Sequence, residues 1–325
     1  MELSRQNSRG NTMIDMSTTL GTAWFAHPIF TASGCASSGK ELAQFINLED
    51  IGAVVTKSVM NKARHGRPTP RMAETASGMV NSIGLQGPGI DSFLANDLPW
   101  LVENRARVIV SIAGETVEEY AVLARKLRSA PGISAVEVNI SCPNVENRGL
   151  VFACDPDASR NVIDGVRRAL GGELPIIAKL SPDVTDLVSI ARGVIDSGAD
   201  GLALINTVLA MVINIDSMRP HLAGKTGGLS GPAIKPIAVR AIYQVHSAMP
   251  KVPILGMGGV SSGRDALELI LAGASGVSVG TASFGNPSAV TQIQNELQFL
   301  LEARGFTSLT QAVGYAHRIE EASTS

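Results

Sequence analysis

Ala135-Val-Glu-Val-Asn139-Ile-Ser-Cys-Pro-Asn144 is the stretch on which the fold turns. Ala135 to Val138 read as a short apolar run and predict a buried strand; two amides, a hydroxyl and a thiol follow, and Pro143 keeps the strand from continuing. In a parallel α/β protein the strand end is where chemistry collects, because side chains there are rigidly held yet open to solvent. Asparagine amides offer paired donors and acceptors suited to a small planar heterocycle, and a thiol can carry a proton. A structural Cys142 buried beside a turn is the plainer alternative.

Outward from this stretch, short β-rich runs alternate with amphipathic helical segments. The other strand candidates are Pro28–Thr31, Ala53–Thr56, Val108–Ser111, Pro175–Lys179, Gly201–Asn206, Val252–Gly256 and Gly276–Val279. With Ala135–Asn139 they make eight, the number that closes a (β/α)8 TIM barrel, and most are continuous apolar runs, as expected of parallel strands covered on both faces. Helices are predicted over 39–48, 116–129, 157–170, 186–197, 232–247, 262–272 and 287–304. Thr116 and Glu119 form a capping box, and Pro156, Pro232 and Pro287 stand at first-turn positions. Two stretches break the alternation: a long excursion over 58–107, and 207–230 with a hairpin predicted around Val212–Leu222. Insertions at the C-terminal ends of barrel strands are usually functional. One barrel domain is expected over 18–312, with a flexible N-terminal tail at 1–17 and a C-terminal tail at 313–325.

Composition excludes several classes. Of 325 residues, 45% are hydrophobic and 17% charged, and 27 Lys and Arg against 29 Asp and Glu leave a net charge of −2, which gives no footprint for nucleic acid. Aromatic residues at 4% argue against base-stacking platforms. Cys35, Cys142 and Cys154 are too few and too scattered for a disulfide framework or a four-thiolate cluster, and they fit a reducing cytoplasm. His27, His65, His221, His246 and His317 form no metal-ligand pattern, so no metal is expected. No run approaches the roughly 20 apolar residues needed to span a bilayer.

The residues at the strand exits converge on one chemistry. They read Ser33-Gly34, Lys57, Ser111, Asn139, Lys179, Asn206-Thr207, Gly258-Gly259 and Gly280-Thr281. Two lysines at one mouth imply a ligand with negative or developing negative charge. The glycine-rich loops after the last two strands are where barrels commonly hold a phosphate. No G-x-G-x-x-G fingerprint is present, which argues against a dinucleotide site on this chain. Asn81-Ser-Ile-Gly-Leu85-Gln-Gly-Pro-Gly89 reads as a tight ordered loop, either a plain surface loop or one folded over the mouth.

Together, Thr31-Ala-Ser-Gly34, Pro70-Arg-Met-Ala-Glu74, Asn81-Ser-Ile-Gly-Leu85, Asn139 to Asn144, Ala178-Lys-Leu-Ser181, Ile205-Asn-Thr207, Gly227-Gly-Leu-Ser-Gly231 and Gly256-Met-Gly-Gly259 resemble dihydroorotate dehydrogenase over about residues 18–310. Cys142 and the absence of a hydrophobic N-terminal extension resemble the class 1B, NAD-linked branch. The resemblance implies an FMN site at Ser33, Lys57, Ser58, Ser111, Asn139, Lys179, Ile205, Gly231, Gly258, Gly259, Gly280 and Thr281. It implies a substrate site at Lys57, Asn81, Ser82, Ile83, Gly84, Leu85, Asn139, Asn144, Asn206 and Thr207. Two departures stand out: Ser111 replaces the usual Asn, and Val145 to Leu150 lack the usual Gly-rich form.

The implied reaction oxidises (S)-dihydroorotate to orotate in the de novo synthesis of UMP. Cys142 would take the C5 proton while hydride leaves C6 for N5 of FMN; Lys179 would stabilise the reduced ring and Lys57 would pair with the substrate carboxylate. A homodimer is implied, joined in an α2β2 assembly to a partner carrying FAD and a [2Fe–2S] cluster that passes electrons to NAD, with no nucleic acid and no membrane. The rivals are a self-sufficient, fumarate-using homodimer of class 1A type, a flavin-free phosphate-binding isomerase or lyase barrel, and a non-catalytic binding barrel.

Overall fold

The computed structural model describes residues 14–140 and 155–318. Every predicted strand is present, numbered here as barrel strands: β1 (Ile29–Thr31), β2 (Val54–Val55), β3 (Val108–Ile112), β4 (Ile133–Asn139), β5 (Ile176–Lys179), β6 (Gly201–Leu204), β7 (Ile254–Met257) and β8 (Gly276–Val279). They pair in parallel in one eight-stranded sheet, each beside its sequence neighbour, with β8 returning to β1. Gly52 and Thr31 bridge β1 and β2 by donating to Ile29 O at 2.7 Å and Ala53 O at 3.2 Å. The Thr31 hydroxyl completes this seam, accepting from Val55 N at 2.8 Å. The sheet thus closes into a (β/α)8 barrel.

Alternate residues of the strands fill the interior: Phe30, Val55, Ile109, Ala135, Ile177, Ala203 and Leu255 form one buried cluster. A hairpin of Thr18–Leu20 and Ala23–Phe25 adds Leu20, Ala23 and Phe25 to it. Its turn rests on the residues that precede β5 and β6: a Cβ on Gly21, at φ +60, would fall 2.9 Å from Pro175 Cβ and 2.7 Å from Asp200 Cβ. The hairpin therefore plugs the end opposite the strand exits. A much larger cluster packs the outer helices on the sheet, and each Leu, Ile or Val buried there is worth roughly 1.5–3 kcal/mol.

Helices Val117–Arg128, Pro156–Leu170, Leu187–Asp196, Lys235–Ala248, Gly263–Ala272 and Ala289–Glu302 lie within two or three residues of expectation. The helix predicted over 39–48 is corrected: two short 3-10 turns, Leu42–Gln44 and Leu48–Asp50, occupy the region. Asn47 is extended (φ −78, ψ 128), and its side chain donates to Asp50 at 3.1 Å, a local bond that competes with helix. In the capping box Thr116 accepts from Glu119 N, but the Glu119 carboxylate takes Glu115 N at 2.8 Å, not Thr116 N. After Pro232 a 3-10 turn precedes the helix, and the last long helix opens at Ala289.

The two excursions build one further layer. Met72–Thr75 and Gly78–Asn81 form a hairpin from the first; Val208–Met211 and Thr226–Ser230 come from the second. They join as a four-stranded antiparallel sheet in which Gly228 faces Asn81 and Leu209 faces Gly228. The hairpin expected around Val212–Leu222 is present as Ile213–Asn214 paired with Arg219–Pro220. Described residues just outside 18–312 also pack on the barrel. Ile14 and Met16 are buried, Asp15 bonds to Thr307 and Leu309, and a 3-10 turn at Tyr315–His317 packs beyond residue 312. Among the described residues no helix is long and apolar enough to cross a membrane.

Candidate active site

A cavity of about 500 Å³ opens at the C-terminal ends of the strands, roofed by the four-stranded sheet. That size suits one small-molecule ligand set. One half is amide-rich: Lys57 after β2, Asn81 on the roof, Asn139 at the tip of β4, and Asn206 and Thr207 after β6. The other half is built of glycines and hydroxyls: Gly231, Gly258, Gly259, Gly280 and Thr281. Ser33, Ser58, Lys179, Ile205, Ile83, Gly84 and Leu85 also line it.

Backbone conformation explains the glycines. Gly258 and Gly259 have φ +126 and +73, in which L side chains are strained, and a Cβ on Gly259 would stand 2.9 Å from Gly231 O. This turn is braced from outside. Ser261 and Ser262 donate to Asp265 Oδ2 at 2.9 Å each, and Lys235 donates to Asp265 Oδ1 at 2.7 Å. Burial pushes the Asp265 carboxyl up, but the bonds from Lys235, Ser261 and Ser262 together hold it below the usual range. Those same carboxylates, Asp265 and Glu268, raise the Lys235 ammonium above its ordinary value, against a smaller opposing effect of burial.

Hydrogen bonds tie the amide half together. Asn206 donates to Asn139 Oδ1 at 3.4 Å, Asn139 Nδ2 to Ser58 Oγ at 3.0 Å, and Ser58 Oγ lies 2.9 Å from Ser111 Oγ. Ser111 in turn donates to Glu137 Oε1 at 2.8 Å, and Glu137 lies 3.8 Å from Lys179 Nζ, which donates to Ser33 at 2.8 Å. Behind them the Tyr120 hydroxyl donates to Asn139 O at 2.7 Å. On the roof, Asn81 Nδ2 donates to Gly228 O at 3.3 Å.

Two predicted site residues stand elsewhere than expected. Ser111 is wholly buried and does not line the cavity; its hydroxyl is turned to Ser58 and Glu137, so it reaches a ligand only through Ser58. Ser82 is buried behind the roof, beneath Gly224, its hydroxyl without a partner among the described residues. Ser141, Cys142 and Asn144, with the thiol of Cys154, lie outside the described residues. Sequence reading passed over four groups. Glu137 sits mid-strand in the run taken as apolar, although a charge in such a run is itself a sign of a partner. Cys35 lies in the cavity wall, where burial pushes its thiol up and the Lys179 and Lys57 charges act against that shift. Gly228 lines the roof, and the Ser278 hydroxyl, also lining the cavity, is buried without a partner among the described residues.

The donor set fits an elongated ligand with an anionic end and a planar, amide-recognised end. The orphaned Ser278 hydroxyl and the glycine turn, where side chains would fill the space, are the groups such a ligand would satisfy. Among the described residues no cluster of three or more His, Cys, Asp or Glu could hold a metal.

A family model described as dihydroorotate dehydrogenase matches residues 15–301. The chain is 48% identical over 292 residues to the "Dihydroorotate dehydrogenase B (NAD(+)), catalytic subunit" of Desulforudis audaxviator, covering 90% of this chain and 94% of that protein. Proteins of the same description from Pelobacter propionicus (48% over 300 residues, 92% of this chain and 98% of theirs) and Geobacter sulfurreducens (47% over 300 residues, 92% and 97%) are similarly related.

Proposed function

The chain belongs to the dihydroorotate dehydrogenase family, and from that premise we propose that it is the catalytic subunit of an NAD-linked oxidoreductase that converts (S)-dihydroorotate to orotate in cytoplasmic pyrimidine synthesis. The observation that carries this reading is the cavity itself. It brings two lysines, three asparagines and a glycine cradle from strand exits far apart in sequence onto one space.

FMN, when bound, would supply the acceptor for the hydride leaving C6. Gly231, Gly258, Gly259, Gly280 and Thr281 would hold its phosphate end, and Ser33, Ser58, Lys179 and Ile205 its ring. Glycine permits the close backbone approach, and Lys179, 4% exposed in the cavity wall, would place a cation where negative charge develops. Lys57 would pair with the substrate carboxylate, while Asn81, Asn139, Asn206 and Thr207 orient the ring. The Asn139–Asn206 and Asn139–Ser58 bonds fix those amides before substrate arrives, so little ordering is left to binding. Ile83, Gly84 and Leu85 line this end, and the family resemblance assigns it the Asn144 amide as well. Cys142, next to this cluster in sequence, is assigned the base that removes the C5 proton. A thiol ionises near pH 8.5, so turnover rises with pH toward that value.

Electrons then pass to a partner subunit bearing FAD and a [2Fe–2S] cluster, in an α2β2 assembly about a homodimer of this chain. The word "subunit" in the relatives' description supports such a partner. The test is the visible spectrum of the purified chain with added FMN. A flavin band bleached by dihydroorotate is expected, with negligible turnover on fumarate and NAD reduction only when the partner is added. A colourless protein refutes the flavin reading; robust fumarate turnover without a partner refutes the NAD-linked one.

A further inference from the structure

Glu137 is a buried charge that the barrel fold alone does not explain. It stands mid-strand in β4 with no exposed surface, and its Oε2 has no partner among the described residues. A carboxylate so placed opposes folding unless something compensates it. Its compensation is partial: one hydroxyl, from Ser111 at 2.8 Å, and one cation, Lys179 at 3.8 Å. The distance to Lys179 is too long for a direct hydrogen bond. Among the described residues Lys179 donates one hydrogen bond, to Ser33 at 2.8 Å, and it lines the cavity, whereas Glu137 does not. The cation therefore has the cavity on one side and a tethered counter-charge behind it. An apolar residue would pack this position at lower cost, as Ala135 does two residues back on the same, barrel-interior face.

We propose that Glu137, held by Ser111, is a positioning residue that sets how much positive charge Lys179 presents to the cavity, and so sets the reduction potential of the flavin bound there. The inference rests on reading the cavity as a flavin site. Reduction adds negative charge to the flavin, a cation in the wall favours it, and a carboxylate behind that cation opposes it. Removing the carboxylate raises the potential. Ser111 acts in the other direction, because its hydroxyl draws part of the carboxylate's charge toward Ser58, 2.9 Å further on. Without that hydroxyl the whole charge faces Lys179 and the potential falls.

Two variants of the full chain, reconstituted with FMN, test this by equilibrium titration against a reference dye, beside flavin stoichiometry and thermal melts. Glu137→Gln keeps the shape and removes the charge; it shifts the two-electron equilibrium about tenfold toward the reduced form, about 30 mV, at unchanged stoichiometry. Ser111→Ala shifts the equilibrium about threefold the opposite way. A lower melting temperature in Glu137→Gln with an unmoved potential means a structural role only and overturns the inference, as do shifts of the same sign in both variants. Should Glu137→Gln fail to hold flavin, an unmoved potential in Ser111→Ala overturns it alone. A parent chain that takes up no flavin overturns the flavin reading and this inference together; a loaded parent with an unmoved Glu137→Gln overturns only the inference.

Discussion

Gly228→Ala adds one methyl group at the tightest point of the roof. Its Cβ would sit 2.0 Å from Thr207 Oγ1 and 2.6 Å from Thr207 Cβ, far inside the 3.5–4.0 Å at which carbon atoms rest against one another. The backbone of Gly228 cannot retreat freely, because it is paired to Leu209 on one side and to Asn81 on the other and accepts from Asn81 Nδ2. Thr207 must move, and Asn206, whose Oδ1 accepts from Thr207 N at 2.8 Å, moves with it. Overpacking of this kind costs about 1–3 kcal/mol. If that strain falls on the substrate end, KM for dihydroorotate rises about tenfold to a hundredfold, at 1.4 kcal/mol per decade. Flavin content should hold, since the glycine turn at 258–259 is untouched. The assay is steady-state oxidation with an artificial dye acceptor, with orotate binding followed by perturbation of the flavin spectrum. Adding Thr207→Gly removes every side-chain atom of the clash, Cβ included, so the double variant should melt and bind as Thr207→Gly alone does. A KM within twofold of the parent, at unchanged melting temperature, would refute the placement of Thr207 against substrate.

Three further outcomes are expected. Tyr120→Phe deletes the hydroxyl that donates to Asn139 O, costing about 1–3 kcal/mol in chemical denaturation and lowering kcat/KM with it; an unchanged midpoint would show that the bond contributes nothing. Asp265 is held below its ordinary range, so its contribution to stability is present above about pH 4 and is lost as pH falls through the lower folded value. Asp265→Asn should flatten that acid-side loss in melts between about pH 5 and 2, and an identical slope in parent and variant would contradict the linkage. Cys142→Ala should keep its flavin and lose most of its turnover; near-normal turnover would sink the assignment of the base.

The barrel was legible because its strands are buried on both faces and so appear as unbroken apolar runs, the one pattern that survives without long-range information. The exits were legible for a related reason: polar residues and glycines directly after such runs have few other uses. Asn206, Lys179 and Gly258 fell into place on that logic. The roof was legible only in part: a segment from Asn81 folded over the mouth was one of two readings, but the pairing of Asn81 with Gly228 spans the whole middle of the barrel, and local sequence carries no trace of a partner so distant. The segment 39–48 misled through apolar spacing alone, with the Asn47–Asp50 bond outweighing helix propensity. Glu137 was hidden by averaging over a run in which it is the exception. Cys35 looked idle because the lysines that face it come from β2 and β5.

The roof also constrains how this protein can change. Its strands come from two insertions, and only the register between them brings Asn81 and Thr207 to the same wall. Side chains alternate along a strand, so gaining or losing a single residue in either insertion would turn Asn81 or Gly228 to the opposite face. Ordinary surface loops drift in length independently of one another. These two must keep step, so natural variation in substrate preference should run through replacements at fixed length, with paired length changes the rare exception.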